Sequence, residues 1–430
     1  MRRWLQGLLV IGGVLLLLAG CAVNPVTGER EFRLLSESEE VAIGEQQYGR
    51  TQQAMGGAYT AEPDLVAFVE EVGQRVAAES DRPGLPYEFV VLNDSTPNAW
   101  ALPGGKIAIN RGLLLEMETE AELAAVLGHE ITHAAARHGA QRVERGLMLQ
   151  AGVAAVGLAT RDHRLQGLMV AGAGVGAALV SQRYSREAEL EADYYGTLYM
   201  ARAGYDPAGA VSLQERFVRL ADAGERNWLE GLFASHPPSR ERVRRNQETA
   251  EALYGEHPDR DWILGGERYA EKVEPLHRTR EAYAAHDRAR QALIDGQPDK
   301  SLALVERALE AYEREPAFHG LRGQALARLG QKREAEAALD QAIALDDGYF
   351  AFFLERGRLL QERGEAQSAR EDLERANALL PTAPGHLALG ELAEADGAMG
   401  EALENYRLAA ESDSSYGRRA AAAVERLKSR

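Results

Sequence analysis

Apolar positions along the chain change period several times, and each change marks a new element. Leu65, Phe68, Val69, Val72 and Val76 recur at three- and four-residue steps. Residues 63–79 therefore read as a helix with one buried face. A helical stretch also runs from Ser36 toward Met55. Tyr87 to Leu92 and Lys106 to Asn110 are short apolar runs between turn signals, and read as strands. Between them, Asn98 to Leu102 leads into Pro103-Gly104-Gly105, which marks a turn or the end of an edge strand. Glu118 to His138 carries a strong helical pattern, and Ser185 to Ala203 another. Residues 150–181 are rich in Gly, Ala, Leu and Val and are divided by Arg161 to Arg164. Each half is too short to span a bilayer. Packed small-residue helices are expected there, with a substrate gate or a membrane-surface contact as alternatives.

The first 20 residues belong to targeting. Met1, Arg2, Arg3 and Trp4 form a short basic start, and Leu8 to Ala19 is almost wholly apolar. That length suits a signal-peptide core. Leu18-Ala19-Gly20-Cys21 follows, and resembles the lipobox at which bacterial lipoproteins are cut and acylated. Cys21 is the only cysteine, so no internal disulfide can form. These features predict removal of residues 1–20, a lipid anchor on Cys21, and a polar tether over 21–36. The expected location is periplasmic. Ala22, where an Asp would favour the inner membrane by resemblance to known sorting patterns, points to the outer one.

The second half repeats. Gly296, Gly330, Gly364 and Gly397 are 34, 34 and 33 residues apart. Gly323, Gly357 and Gly390 precede the last three by seven residues. Ser301, Ala335, Ala369 and Ala402 follow the four glycines by five, and Ala308, Ala342, Ala376 and Ala409 by twelve. Small residues there let two antiparallel helices approach closely. Val305, Leu339, Leu373 and Tyr406, nine after, fill the space between them. The pattern resembles the tetratricopeptide repeat, a 34-residue helix-turn-helix unit. About four repeats and a capping helix are predicted over 280–430.

Composition narrows the function. The formal charge of −17 repels phosphate backbones, so nucleic acid is not an expected partner. Abundant Ala, Glu, Leu and Arg predict a mainly helical chain.

The chemistry lies in two segments. His129-Glu130-Ile131-Thr132-His133 is an HExxH pattern. Four residues apart on a helix, both imidazoles face one side and can reach one metal ion, with Glu130 beside its open side. Ser185-Arg186-Glu187-Ala188-Glu189-Leu190-Glu191-Ala192-Asp193 begins 52 residues beyond His133. Glu189 and Asp193 again share a helix face. A catalytic zinc needs three protein ligands and one open position, which two imidazoles and a carboxylate supply. A second carboxylate one turn away can hold the far nitrogen of a liganding histidine. His138 fits no further ligand spacing, and reads as structural or exposed.

Together these motifs resemble the zinc metalloproteases of the CAAX prenyl protease and HtpX family, in its periplasmic BepA-like branch with tetratricopeptide repeats. The resemblance covers 37 to about 250 for the protease and 280–430 for the repeats. It implies one Zn²⁺ per chain held by His129, His133 and Glu189, with Glu130 as catalytic base and Asp193 behind the ligands. Ser235-His236-Pro237-Pro238 resembles a loop near the family's active site. His236 would polarise the scissile carbonyl or plug the open zinc position. Asn98, Ala99, Trp100 and Ala101 resemble the edge strand on which such proteases bind extended substrate. The expected fold is mainly α with a small β-sheet in an α+β zincin-like protease domain over 37–275, followed by an all-α repeat solenoid. The expected function is a zinc endopeptidase in quality control or assembly of outer-membrane and envelope proteins. Unfolded or misassembled envelope proteins would be its substrates, and the repeats would dock clients or outer-membrane assembly machinery. The alternative is a non-catalytic, chaperone-like adaptor acting through the repeats, with a structural or plugged zinc.

Overall fold

The computed structural model describes residues 21–148, 183–222 and 230–429. The expected signal peptide and the small-residue segment over 150–181 lie outside the described residues. The chain divides into two compact units. Met1–Thr51 with Asp64–Glu274 form one, and Gln52–Pro63 with Pro275–Arg430 form the other. Among the described residues, no helix is long and apolar enough to cross a membrane.

The first unit begins where a loose tether was expected. Cys21–Val23 (β1) and Arg30–Phe32 (β2) pair antiparallel instead. Asn24 makes the turn, its Oδ1 accepting from the backbone of Val26 (2.9 Å) and Thr27 (3.2 Å). Its Nδ2 donates to the carbonyl of Ala136 at 3.0 Å. The turn signals at Asn24-Pro25 and Thr27-Gly28 thus belong to a hairpin docked on the body of the unit.

Helices α1 (Glu37–Ala54) and α2 (Pro63–Ala77) follow. Leu65, Phe68, Val69, Val72 and Val76 of α2 are all buried, as their spacing predicts. The sheet has the order β3-β5-β4, with Glu88–Leu92 (β3) parallel and Ala99–Leu102 (β4) antiparallel to the central Lys106–Asn110 (β5). β4 is therefore an edge strand. Arg111–Leu114 (α3) leads to Glu120–Ala135 (α4), whose every residue is buried.

The pattern predicts α4 running on to His138, yet it ends at Ala135. Arg137 takes a left-handed backbone (φ 64°). That conformation costs a non-glycine residue about 1–2 kcal/mol. In return, its fully buried guanidinium reaches Glu31 (2.8 Å), Glu40 (3.1 Å) and Glu144 (3.1 Å). Glu40, itself without exposure, is shared with Arg82 at 3.1 Å. This network ties hairpin, α1 and the end of α4 together.

The unit continues with α5 (Arg186–Arg202), α6 (Ala208–Asp222), α7 (Glu230–Ser235) and α8 (Arg240–Glu256). A long helix, α9 (Gly266–Ile294), follows.

In the second unit, residues 275–294 of α9 are followed, among the described residues, by α10 (Pro298–Ala311), α11 (Pro316–Arg328), α12 (Lys332–Leu345), α13 (Phe350–Arg363), α14 (Ala366–Leu379), α15 (Ala383–Ala395), α16 (Met399–Ala410) and α17 (Ser415–Lys428). Gly296, Gly330, Gly364 and Gly397 turn the chain at φ 73–81°. A Cβ on Gly323, Gly357 or Gly390 would lie 2.6–2.9 Å from Leu339, Leu373 or Tyr406. The seven-before glycine is thus a notch for the nine-after side chain of the next helix. Residues 52–63 belong to this unit. Gln53 bonds the carbonyl of Gly348 (2.7 Å) and the amide of Phe350 (2.8 Å), and Tyr312 bonds Glu62 (2.8 Å).

Replacing Glu40 by Ala leaves two buried guanidiniums without their shared carboxylate. We expect Glu40→Ala to lower the stability of the protease unit by about 3–5 kcal/mol, measured by urea unfolding.

Candidate active site

Two helices carry most of the site, and their starts are set locally. Thr119 caps α4 by accepting from the Glu122 amide, and Ser185 caps α5 by accepting from Ala188. The two helices then touch backbone to backbone. A Cβ on Gly128 would lie 2.7 Å from the Gly196 carbonyl oxygen, and one on Gly196 would lie 2.7 Å from the His129 amide nitrogen. This contact brings the carboxylates of α5 to the imidazoles of α4. His236, the residue that follows α7, completes the group. Ligand atoms of His129, His133, Glu189 and His236 all lie within 4.8 Å of one another, and all four residues are buried.

Hydrogen bonds fix the protons. Asp193 Oδ1 can only accept, so His129 donates to it through Nδ1 (3.0 Å) and keeps a lone pair on Nε2. Glu191 likewise accepts from His138 Nε2 (3.1 Å), leaving a lone pair on His138 Nδ1. His133 Nδ1 must then donate to His138 (2.8 Å), and His133 Nε2 also carries a lone pair. With the three rings neutral, two Nε2 lone pairs face each other at 3.1 Å. Burial holds His133 well below the ordinary imidazole range, so it is neutral. Glu189 stands 3.4 Å from His133 Nε2 and 3.6 Å from His129 Nε2. Two converging lone pairs beside a carboxylate suit a cation. Nitrogens bound tetrahedrally at about 2.0–2.1 Å would stand about 3.3–3.4 Å apart.

The carboxylates are held from behind. Arg242, on the first turn of α8, grips Asp193 at 2.6 and 2.7 Å and Glu189 at 3.0 Å. Burial pushes Glu189 up, but His236 and Arg242 more than offset this and hold it well below the usual carboxylate range. Burial likewise raises Asp193, and Arg242 outweighs it. Glu130 differs. Burial pushes its carboxyl up against the pull of His236 and His129. Its Oε2 finds no hydrogen-bond partner among the described residues. His236 stands 3.0 Å from Glu189 and 3.6 Å from Glu130, between the third carboxylate and the base. Burial lowers this imidazole, and Glu189 and Glu130 raise it by more.

The edge strand has its own register. The Asn110 amide donates to the Asn98 carbonyl, so Asn98 and Asn110 form a hydrogen-bonded pair. Alternation then turns the amides and carbonyls of Trp100 and Leu102 toward β5, and leaves those of Ala99 and Ala101 on the side that pairs with no strand among the described residues, although all four residues are buried. Ala99 also borders the pocket at His129 and Glu130.

All expected site residues on α4, α5 and the Ser235 loop are brought together. Three contributors escaped the sequence reading. His138, expected to be structural or exposed, is buried against His133. Its partner Glu191 lies in the acidic run at 187–193. Arg242 is committed to Asp193 and Glu189. Tyr184 stacks on His133 with ring centres 3.7 Å apart, and only its place next to the Ser185 cap hinted at this.

Comparison with known proteins agrees with this geometry. A model of peptidase family M48 matches residues 65–250. The mitochondrial metalloendopeptidase OMA1 of Schizosaccharomyces pombe is 32% identical over 251 residues, which cover 57% of this chain and 71% of that protein. The chain belongs to peptidase family M48. This M48 chain is also 32% identical over 196 residues to the putative beta-barrel assembly-enhancing protease of Vibrio cholerae, covering 41% of this chain and 36% of that one. Among solved structures, the first tetratricopeptide domain of Spaghetti (RPAP3), bound to an HSP90 peptide, covers 28% of this chain and 95% of its own, at 21% identity and a TM-score of 0.27. The M48 unit is a metalloendopeptidase, and His129, His133, Glu189 and His236 form its candidate metal-binding group.

A methyl group on Gly196 would force α4 and α5 apart. Gly196→Ala is expected to lose metal retention, measured by chelator competition. His138→Ala and Asp193→Ala, each removing the partner of a ligand imidazole, should weaken it by about 10–100-fold.

Proposed function

We propose that this protein is a zinc-dependent endopeptidase of the bacterial envelope that restrains itself through His236. The observation that carries the reading is Glu130, a buried carboxyl with one oxygen unpartnered among the described residues, beside the facing Nε2 atoms of His129 and His133. Zinc, when bound, supplies a Lewis acid that polarises the scissile carbonyl and acidifies water. Glu130 takes the proton of the attacking water as the new carbon–oxygen bond forms. Its raised carboxyl then passes that proton to the leaving amine as the carbon–nitrogen bond breaks. His129, His133 and Glu189 hold the metal, while Asp193, His138 and Arg242 orient them. Substrate lies extended along β4, paired to Ala99 and Ala101.

His236 fills the fourth place in the ligand cluster, which a substrate or water must enter. It is therefore a plug in the resting protein, and moves aside when a client is held.

The wider role rests on several supports. The Leu18-Ala19-Gly20-Cys21 motif favours acylation of Cys21 and a periplasmic, outer-membrane location. The likeness to a protein named for enhancing β-barrel assembly favours unfolded or misassembled envelope proteins as substrates. The helical repeats supply a surface for holding clients or assembly machinery.

The test is zinc content and casein cleavage on a chain beginning at residue 22. Wild type should bind one zinc. Glu130→Gln should keep the zinc and lose about 10²–10⁴ in turnover. His236→Ala should cleave faster than wild type. Full cleavage by zinc-loaded Glu130→Gln would overturn the mechanism, and an unchanged rate in His236→Ala would overturn the plug.

A further inference from the structure

The two imidazoles on α4 are held in different ways. His129 donates through Nδ1 to Asp193, a carboxylate that Arg242 grips from behind. Its ring meets the neighbouring imidazoles edge-on, at 80° to His133 and 76° to His236. His133 has an imidazole behind it instead of a carboxylate. Its Nδ1 lies 2.8 Å from Nδ1 of His138. A hydrogen bond between two neutral groups is about half as strong as one to a charged acceptor. One such bond also fixes a direction and not a plane, so it leaves the ring able to rock about the bond.

A second contact fixes that plane. Tyr184 lies flat on His133, with ring centres 3.7 Å apart and planes 14° apart. Its other ring contacts in the site are looser, at 5.5 Å and 36° to His236 and at 6.1 Å and 57° to His138. Tyr184 is covered in turn by Arg142, whose guanidinium carbon stands 3.4 Å from the ring centre. Attraction between a cation and a ring face extends to about 6 Å.

The chain places these layers by local means. His138 and Arg142 are four residues apart in the helical run 138–148, so they share one face of it. That face supplies both the hydrogen-bond partner of His133 and the cover of Tyr184. The run starts directly after Arg137, whose ion pairs with Glu31, Glu40 and Glu144 hold its beginning in place. Tyr184 immediately precedes Ser185, the cap of the helix that carries Glu189. The layers Arg142, Tyr184 and His133 therefore join the segment after α4 to the start of α5.

We propose that Tyr184 is a positioning residue for the metal: stacked on His133 and covered by Arg142, it holds the plane of that imidazole so that Nε2 points into the ligand cluster. The proposal rests on the zinc reading above. It adds, on the side of His133, a stack that does what the Asp193 carboxylate does behind His129.

The test measures zinc retention by chelator competition on the chain beginning at residue 22, and the visible spectrum with Co²⁺ in place of zinc, whose bands report the geometry of the donor atoms. Tyr184→Leu keeps apolar bulk and loses the flat ring. It should weaken retention by about 10–100-fold, as loss of a ligand's outer partner does, and shift the Co²⁺ bands. Tyr184→Phe keeps the ring and should match wild type in both readouts. Arg142→Gln should weaken retention by about 3–10-fold, the loss of one cation–ring contact. Urea midpoints of the metal-free Leu and Phe variants should agree, which separates an effect on the metal from one on folding. Wild-type retention and bands in Tyr184→Leu would overturn the proposal, as would equal losses in Tyr184→Phe and Tyr184→Leu. If Tyr184→Leu does not fold, Arg142→Gln decides, and unchanged retention there would overturn it. A wild-type protein that binds no zinc would instead count against the zinc reading itself.

Discussion

The site depends on how closely two helices can approach. Gly128 and Gly196 lie where α4 and α5 cross, and the missing side chains let backbone meet backbone. Everything that gives the protein its chemistry is measured from that crossing. His129 is the residue after one glycine, and Asp193 lies three before the other, so their hydrogen bond spans the contact. Larger residues would separate the helix axes by more than a hydrogen bond can absorb.

Around this crossing the protein concentrates charge that water does not reach. Arg242 binds two carboxylates from one side, and Arg137 and Arg82 share Glu40 near the other end of α4. Buried ion pairs of this kind contribute little net stability compared with an apolar core. Their effect is positional. Each guanidinium accepts only certain directions, so helices, hairpin and loop are held in one mutual arrangement. The buried cluster of His129, His133, Glu189 and His236 inherits that precision.

Much of this was legible in the sequence. HExxH put two imidazoles on one helix face with a carboxyl beside them, because four-residue spacing has one meaning on a helix. Glu189 and Asp193 were legible for the same reason, and the repeat glycines because a left-handed turn and a notch leave few alternatives. What escaped detection was created by tertiary contact. Nothing local distinguishes Glu191, bonded to His138, from its exposed neighbour Glu187. The glycines of the crossing looked like ordinary small helical residues. The end of α4 at Ala135 was hidden because Arg137 leaves the helix for partners that are distant in sequence. The hairpin at 21–32 read as a tether because two strands of three residues carry almost no periodic signal.

The order in which the ligands occur along the chain has a consequence for synthesis. His129 and His133 are made first, Glu189 follows, and His236 and Arg242 come last. A chain emerging from the ribosome holds only a pair of imidazoles until α5 has been made, and the Arg242 brace on Asp193 and Glu189 comes later still, with α8. Proteolytic capacity therefore cannot precede the fold that contains it. When the last element arrives, it brings His236 and Arg242 within six residues of each other, so the cluster gains its brace and its fourth member in the same step.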